Sequence, residues 1–79
     1  MKYELKLIWR FTGQDSEKIA SHHLSHLIEY STKNKILINN KGIEKQDDYT
    51  SISFIIINDN LLEKVKQDLK PHYIIEISC

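Results

Sequence analysis

Two hydrophobic rhythms alternate along this chain, and their order constrains the fold more than any single residue does. Tyr3, Leu5, Leu7, Trp9 and Phe11 recur at every second position, the period of a half-buried β-strand whose odd face lies under the helices. Lys2, Glu4, Lys6, Ile8 and Arg10 occupy the other face. Thr12-Gly13 closes the strand, because glycine frees the chain to turn. A helical period follows from Asp15 or Ser16, either of which can accept hydrogen bonds from the first free amides. Ile19, Ala20, Leu24, Leu27, Ile28 and Tyr30 then share about half of the helical wheel, and Ser31 to Asn34 mark the fraying end.

The middle of the chain is less regular. Ile36-Leu37-Ile38 reads as a short strand and Asn39-Asn40-Lys41-Gly42 as a turn. Ile43-Glu44-Lys45 either pairs back as a small hairpin or extends the edge. Gln46-Asp47-Asp48 is a polar turn. Tyr49 to Ile57 forms the next strand, with Ile52, Phe54 and Ile56 expected on the buried side and Ser51, Ser53, Ile55 and Ile57 on the other. Asn58-Asp59-Asn60 stops it, and Asn60 and Glu63 stand at capping-box spacing for a second helix with the stripe Leu61, Leu62, Val65 and Leu69. Pro71 ends that helix, and Tyr73 to Ser78 is the last strand. The expected fold is an α+β ferredoxin-like βαββαβ sandwich in a single domain, 1–79. Its four-stranded antiparallel sheet carries both helices on one face, and right-handed crossovers place the first and third strands in the middle.

Composition narrows function by exclusion. A chain of 79 residues has room for one core, and one of this size buries only roughly 60–65% of its unfolded surface. Eleven basic residues balance eleven acidic ones, so no net field draws the chain to nucleic acid or an anionic membrane. The only cysteine, Cys79, excludes an internal disulfide framework and fits a reducing compartment. Charge interrupts every apolar residue of Met1 to Lys6, and no apolar run reaches membrane-spanning length. The expectation is a cytoplasmic protein.

Three features together resemble the YbeD-like family, small bacterial proteins with an ACT-like ferredoxin fold. The first strand ends in Phe11-Thr12-Gly13. Tyr49-Thr50-Ser51-Ile52-Ser53 is similar to the Tyr-x-Ser pattern opening that family's third strand. The chain closes with an Asn-rich cap, a helix and an apolar strand. Asp47-Asp48 departs from the pattern, standing where a Gly-Lys-like turn is usual. The resemblance implies a non-catalytic regulatory or binding role and brings no catalytic residues with it.

Few residues carry chemistry. His22 and His26 stand one helical turn apart, a spacing that lets two imidazoles share a metal ion, but an HExxH glutamate is absent. His23 points into the apolar half of the wheel. Cys79 beside a terminal carboxylate is a poor nucleophile. Glu44, Asp47 and Asp48 lack the oxygens and the central glycine of a calcium loop. Isolated Gly13 and Gly42 form no phosphate loop. No cofactor is expected, and the chain reads as a non-enzyme.

The open face of the sheet is the expected working surface, with Ile8, Arg10, Ser53, Ile55, Ile57 and Ile74 as partner-binding residues, an apolar patch with a charged rim. Trp9, Phe11 and Phe54 fall on the inward parity and only Tyr49 outward, which argues against base stacking and RNA recognition. The expected function is a small protein-binding or regulatory module acting through the open sheet face or an edge strand. Its partner is another protein or, in a homodimer, itself. A phage or mobile-element inhibitor and a toxin-neutralising protein belong to that class. A metal-binding protein using His22 and His26, and a small-ligand sensor at a dimer interface, are the alternatives.

Overall fold

The computed structural model describes residues 4–77. Met1, Lys2, Tyr3, Ser78 and Cys79, with the expectations placed on them, lie outside the described residues. The elements run β1 (Glu4–Thr12), α1 (Ser16–Lys33), β2 (Asn40–Asp47), β3 (Thr50–Asn58), a single 3-10 turn (Asp59–Leu61), α2 (Leu62–Leu69) and β4 (Tyr73–Ile77). The sheet order is β2-β3-β1-β4, and every neighbouring pair is antiparallel. This is the expected ferredoxin-like sandwich, with the first and third strands central.

The parity of β1 follows its alternation. Leu5, Leu7 and Trp9 are buried in one core with Leu27 of α1, Val65 of α2, Ile36, Ile55 and Ile57. The Trp9 indole N–H donates to the Leu69 carbonyl at 3.1 Å, which fastens the end of α2 to the central strand. The Tyr30 hydroxyl donates to the Asp68 carboxylate and ties the two helices together. Burial and that hydrogen bond push the tyrosine pKa up to about 12.

The first turn depends on a backbone conformation that side chains rarely adopt. Gly13 has φ +117°, and its N–H donates to the Tyr49 carbonyl at 2.7 Å. α1 begins at Ser16, but Asp15 makes no side-chain cap. The Ser16 hydroxyl instead donates to the Ser51 hydroxyl at 3.2 Å inside the core. Ala20 and Leu27 face the sheet, while Ile19 and Ile28, at the margins of the stripe, are exposed.

Two local expectations are corrected. Ile36-Leu37-Ile38 is not a strand. Ile36 is buried and Ile38 packs against the core, so these residues serve as a core-filling loop, and the edge strand is built from the apparent turn residues beginning at Asn40. Residues 40–47 form one strand in a hairpin with β3, bulged between Lys45 and Asp47. Asp47 accepts the Tyr49 N–H at 2.8 Å across the turn. The capping box at Asn60 and Glu63 is likewise not formed. The 3-10 turn intervenes, and neither it nor α2 starts with a side-chain cap. α2 ends as expected before Pro71, through Lys70 in the left-handed conformation with φ 47°.

Candidate functional site: the open face and margin of the sheet

The register of β1 against β3 decides what the open face carries. Directly paired residues of antiparallel strands share a face. Lys6 pairs with Ile56, Ile8 with Phe54 and Arg10 with Ile52, whereas Leu7 pairs with Ile55, Trp9 with Ser53 and Phe11 with Ser51. The helix-covered side of β3 is therefore Ser51, Ser53, Ile55 and Ile57, all buried, and the open side is Ile52, Phe54 and Ile56. That is the reverse of the expected parity. The physical reason is volume: Trp9 and Phe11 project under α1 beside the His23 ring, at centroid distances of 5.1 and 5.2 Å. Serines opposite them leave the room these rings need.

The same rule places β4. Ile8 pairs with Tyr73 and Lys6 with Ile75, so Tyr73, Ile75 and Ile77 lie on the open face, and Ile74, paired with Leu7, lies on the helix side. Of the six expected partner-binding residues, Ile8 and Arg10 are on the open face. Ser53, Ile55 and Ile57 are buried beneath the helices, and Ile74 is exposed on the opposite side of its strand. Ile8 is itself only 8% exposed, because its cross-strand partners are the large rings of Phe54 and Tyr73.

The residues the sequence reading missed are Phe54, Ile56, Tyr73 and Ile75. Phe54 lies over Gly42 of β2, so closely that a Cβ there would come within 3.0 Å of its ring. Lys6 Nζ stands 4.4 Å from the centre of the same ring and reaches Glu44 at 3.3 Å. Tyr73 and Ile75 are 54% and 49% exposed. An apolar row thus crosses the sheet from Phe54 through Ile8 to Tyr73; in the next row Lys6 stands between Ile56 and Ile75, and Arg10 and Glu44 lie on the other side. The missed signal was Trp9 and Phe11 at the spacing of Ser53 and Ser51, which sets the parity of β3.

His72 anchors the start of β4. Its backbone N–H donates to the Ile8 carbonyl at 3.0 Å, and its Nδ1 accepts the Arg10 N–H at 2.9 Å. Elsewhere, His22 and His26 meet as the helical spacing predicts, with Nε2 atoms 2.9 Å apart. Glu29 stands 3.9 Å from Nδ1 of His26. Among the described residues no group of three or more His, Cys, Asp or Glu is placed to hold a metal ion. His23 Nε2 is buried without a hydrogen-bond partner, and burial, then the neighbouring His26 and His72, pull the His23 pKa below its ordinary value. Two open surface hollows, of about 420 and 480 Å³, lie against α2 at Leu62, Lys66 and Lys70 and against α1 at Asp15, Ile19 and His22.

Among the described residues no helix is long and apolar enough to cross a membrane. Comparison with family models, curated proteins and solved structures finds no match to this chain.

Proposed function

We propose that this protein is a small non-enzymatic binding module that engages a protein surface through the open face of its sheet and the β4 margin. The observation that carries this reading is the apolar group of Phe54, Ile8, Tyr73 and Ile75 on the open face, with Lys6 set among them and Arg10 and Glu44 beside them. Aromatic and large aliphatic side chains grouped on an exposed face beside charged ones are features of protein interfaces. An outward Phe54 would also serve a stacked base. Lys6, however, is already paired with Glu44, and a formal net charge of zero provides little attraction for phosphate, so a protein is the better-matched partner. Regulation of that partner is the role the YbeD-like resemblance implies. A phage or mobile-element inhibitor and a toxin-neutralising protein, both cytoplasmic, are the settings we propose for it.

Affinity capture from native lysate tests the reading when wild type is compared with Tyr73→Asp and Ile56→Asp on the open face, and with Ile19→Asp on the exposed flank of α1. The expected result is a protein lost from both open-face variants and retained by Ile19→Asp. That protein, once purified, should bind the wild-type chain in a calorimeter and not Tyr73→Asp. Equal retention by all variants would refute the assigned surface.

The 2.9 Å approach of His22 and His26 favours metal binding as a second reading. At that distance the two nitrogens share a hydrogen bond, and the same two imidazoles would be the nitrogen ligands of a zinc ion that displaced its proton. A stoichiometric zinc site that vanishes in His22→Ala/His26→Ala supports this reading, and no thermal shift with zinc counts against it.

A further inference from the structure

We propose that β4 is a self-pairing edge: a second copy of this chain lays its own β4 antiparallel to the first and joins two four-stranded sheets into one of eight strands. This rests on the reading that the open face and its margin are the binding surface, and it names the occupant of the margin.

Among the described residues β4 pairs with β1 on one side and ends the sheet on the other, so its outer side presents a row of backbone donors and acceptors. Natural edges are guarded by lysine, proline, bulges or a covering element. β4 is Tyr-Ile-Ile-Glu-Ile and has neither lysine nor proline within it. α1 packs over β1, β2 and β3, leaving Ile74 and Glu76 exposed on the helix side as Tyr73 and Ile75 are on the other.

The strand can also pair with itself without a clash of like charges. In a two-fold antiparallel pairing centred on Ile75, Ile75 meets its own copy, Tyr73 meets Ile77 and Glu76 meets Ile74. Centred on Ile74, Tyr73 meets Ile75 and Glu76 meets His72, a carboxylate opposite an imidazole. In neither register does the one charged side chain of the strand face its own copy, and the formal net charge of zero adds no long-range repulsion between copies. A second copy also extends the apolar group, since Tyr73, Ile75 and Ile77 share the open face with Ile8 and Phe54. The two-fold operation closes on itself and stops at a dimer. A five-residue junction lies at the small end of specific interfaces, so affinity in about the micromolar range is expected.

Sedimentation velocity on the purified chain from about 1 to 500 µM tests the proposal across the affinities such an interface can reach. Wild type should shift from monomer to dimer. Ile75→Lys, on the open face, and Ile74→Lys, on the helix side, should each weaken the dimer at least about ten-fold. Only pairing along the edge is sensitive to both. Dissociation by Ile75→Lys alone would mean that the open faces stack, which overturns the proposal. So would a wild type that stays monomeric throughout, and in that case the loss of a captured partner by Tyr73→Asp still decides the binding-module reading independently. If a lysine variant fails to fold, wild-type amide exchange decides. Protection of Tyr73–Ile77 that rises with protein concentration supports edge pairing, and unchanged protection overturns it.

Discussion

β2 and β4 flank the same two central strands, yet they are opposite kinds of edge. β2 is Asn-Lys-Gly-Ile-Glu-Lys-Gln-Asp, bulged near its end, with Lys41 and Lys45 exposed on its helix side and the Phe54 ring closing over Gly42 on the other. β4 is shorter and almost wholly apolar, and its exposed side chains are the large ones. By local propensity the ranking is reversed, since β4 is built of strong strand formers and β2 of turn formers. Strand propensity and edge safety therefore pull against each other. The poorly strand-forming sequence makes the guarded edge, held in place by its hairpin to β3, and the strongly strand-forming one is left ready to pair.

The largest expected effect tests what both edges share. Trp9→Ala removes the most voluminous side chain at the β1–β3 seam together with the indole bond to Leu69. The loss should be about 3–5 kcal/mol, the range for large aromatic truncations in cores, read from urea denaturation. A loss below about 1 kcal/mol would mean that the edges and α2 do not depend on a common centre.

That contrast also explains which parts of the fold were legible. The alternation of β1 and the order of elements could be read directly, because each element repeats one period for long enough to be recognised. β2 could not, because an edge strand needs little apolar content, while Ile36 and Ile38 look strand-like and are drawn into the core as loop. In β3, isoleucines occupy both parities, so hydrophobicity alone cannot choose its inner face. The serines choose it, through the room that Trp9 and Phe11 require, and that is a relation between two strands 40 residues apart rather than a pattern within one. The candidate site inherited this error. Arg10 and Ile8 were placed on the correct face from β1 alone, whereas Ser53, Ile55, Ile57 and Ile74 were misplaced and Phe54, Ile56, Tyr73 and Ile75 overlooked. The pairing of His22 with His26 was legible because it lies within one helix.

Exchanging the character of the edges gives a second, smaller test. Lys41→Ile with Lys45→Val removes the lysines of β2 while leaving the core untouched. Lys45 also stands 3.9 Å from Glu17, but an exposed pair of this kind contributes only about 0–1 kcal/mol. The double variant should fold and then associate beyond the dimer, because a chain with two unguarded edges can add copies at both. Species larger than dimers should appear in sedimentation at concentrations where wild type shows none. A variant that assembles no further than wild type would show that the bulge and the Phe54 cover guard β2 without its lysines.

The smallest effect depends on pH and separates the two edges by position. The His23 ring packs against Trp9 and Phe11 with its Nε2 buried and unpartnered, and burial holds its pKa below the ordinary 6.5. As pH falls through about 6.5 the unfolded chain binds a proton that folded His23 resists, so stability is complete above that value and declines below it. Asp47 and Asp68, both held below the ordinary carboxylate value by hydrogen bonds from the Tyr49 N–H and the Tyr30 hydroxyl respectively, stabilise the fold above about 3.8 and lose that effect only at lower pH. Between these windows His23 supplies a decline. Its neighbour Phe11 also contacts His72, at a centroid distance of 6.3 Å, and His72 leads directly into β4. Acidification from about pH 7 to pH 5 should therefore lower the urea midpoint and, after correction for intrinsic rates, speed amide exchange in β4 before β2. His23→Phe, which keeps a ring between Trp9 and Phe11 and removes the titrating nitrogen, should flatten both responses. An unchanged pH profile in that variant would place the acid sensitivity elsewhere and leave the two edges equally anchored.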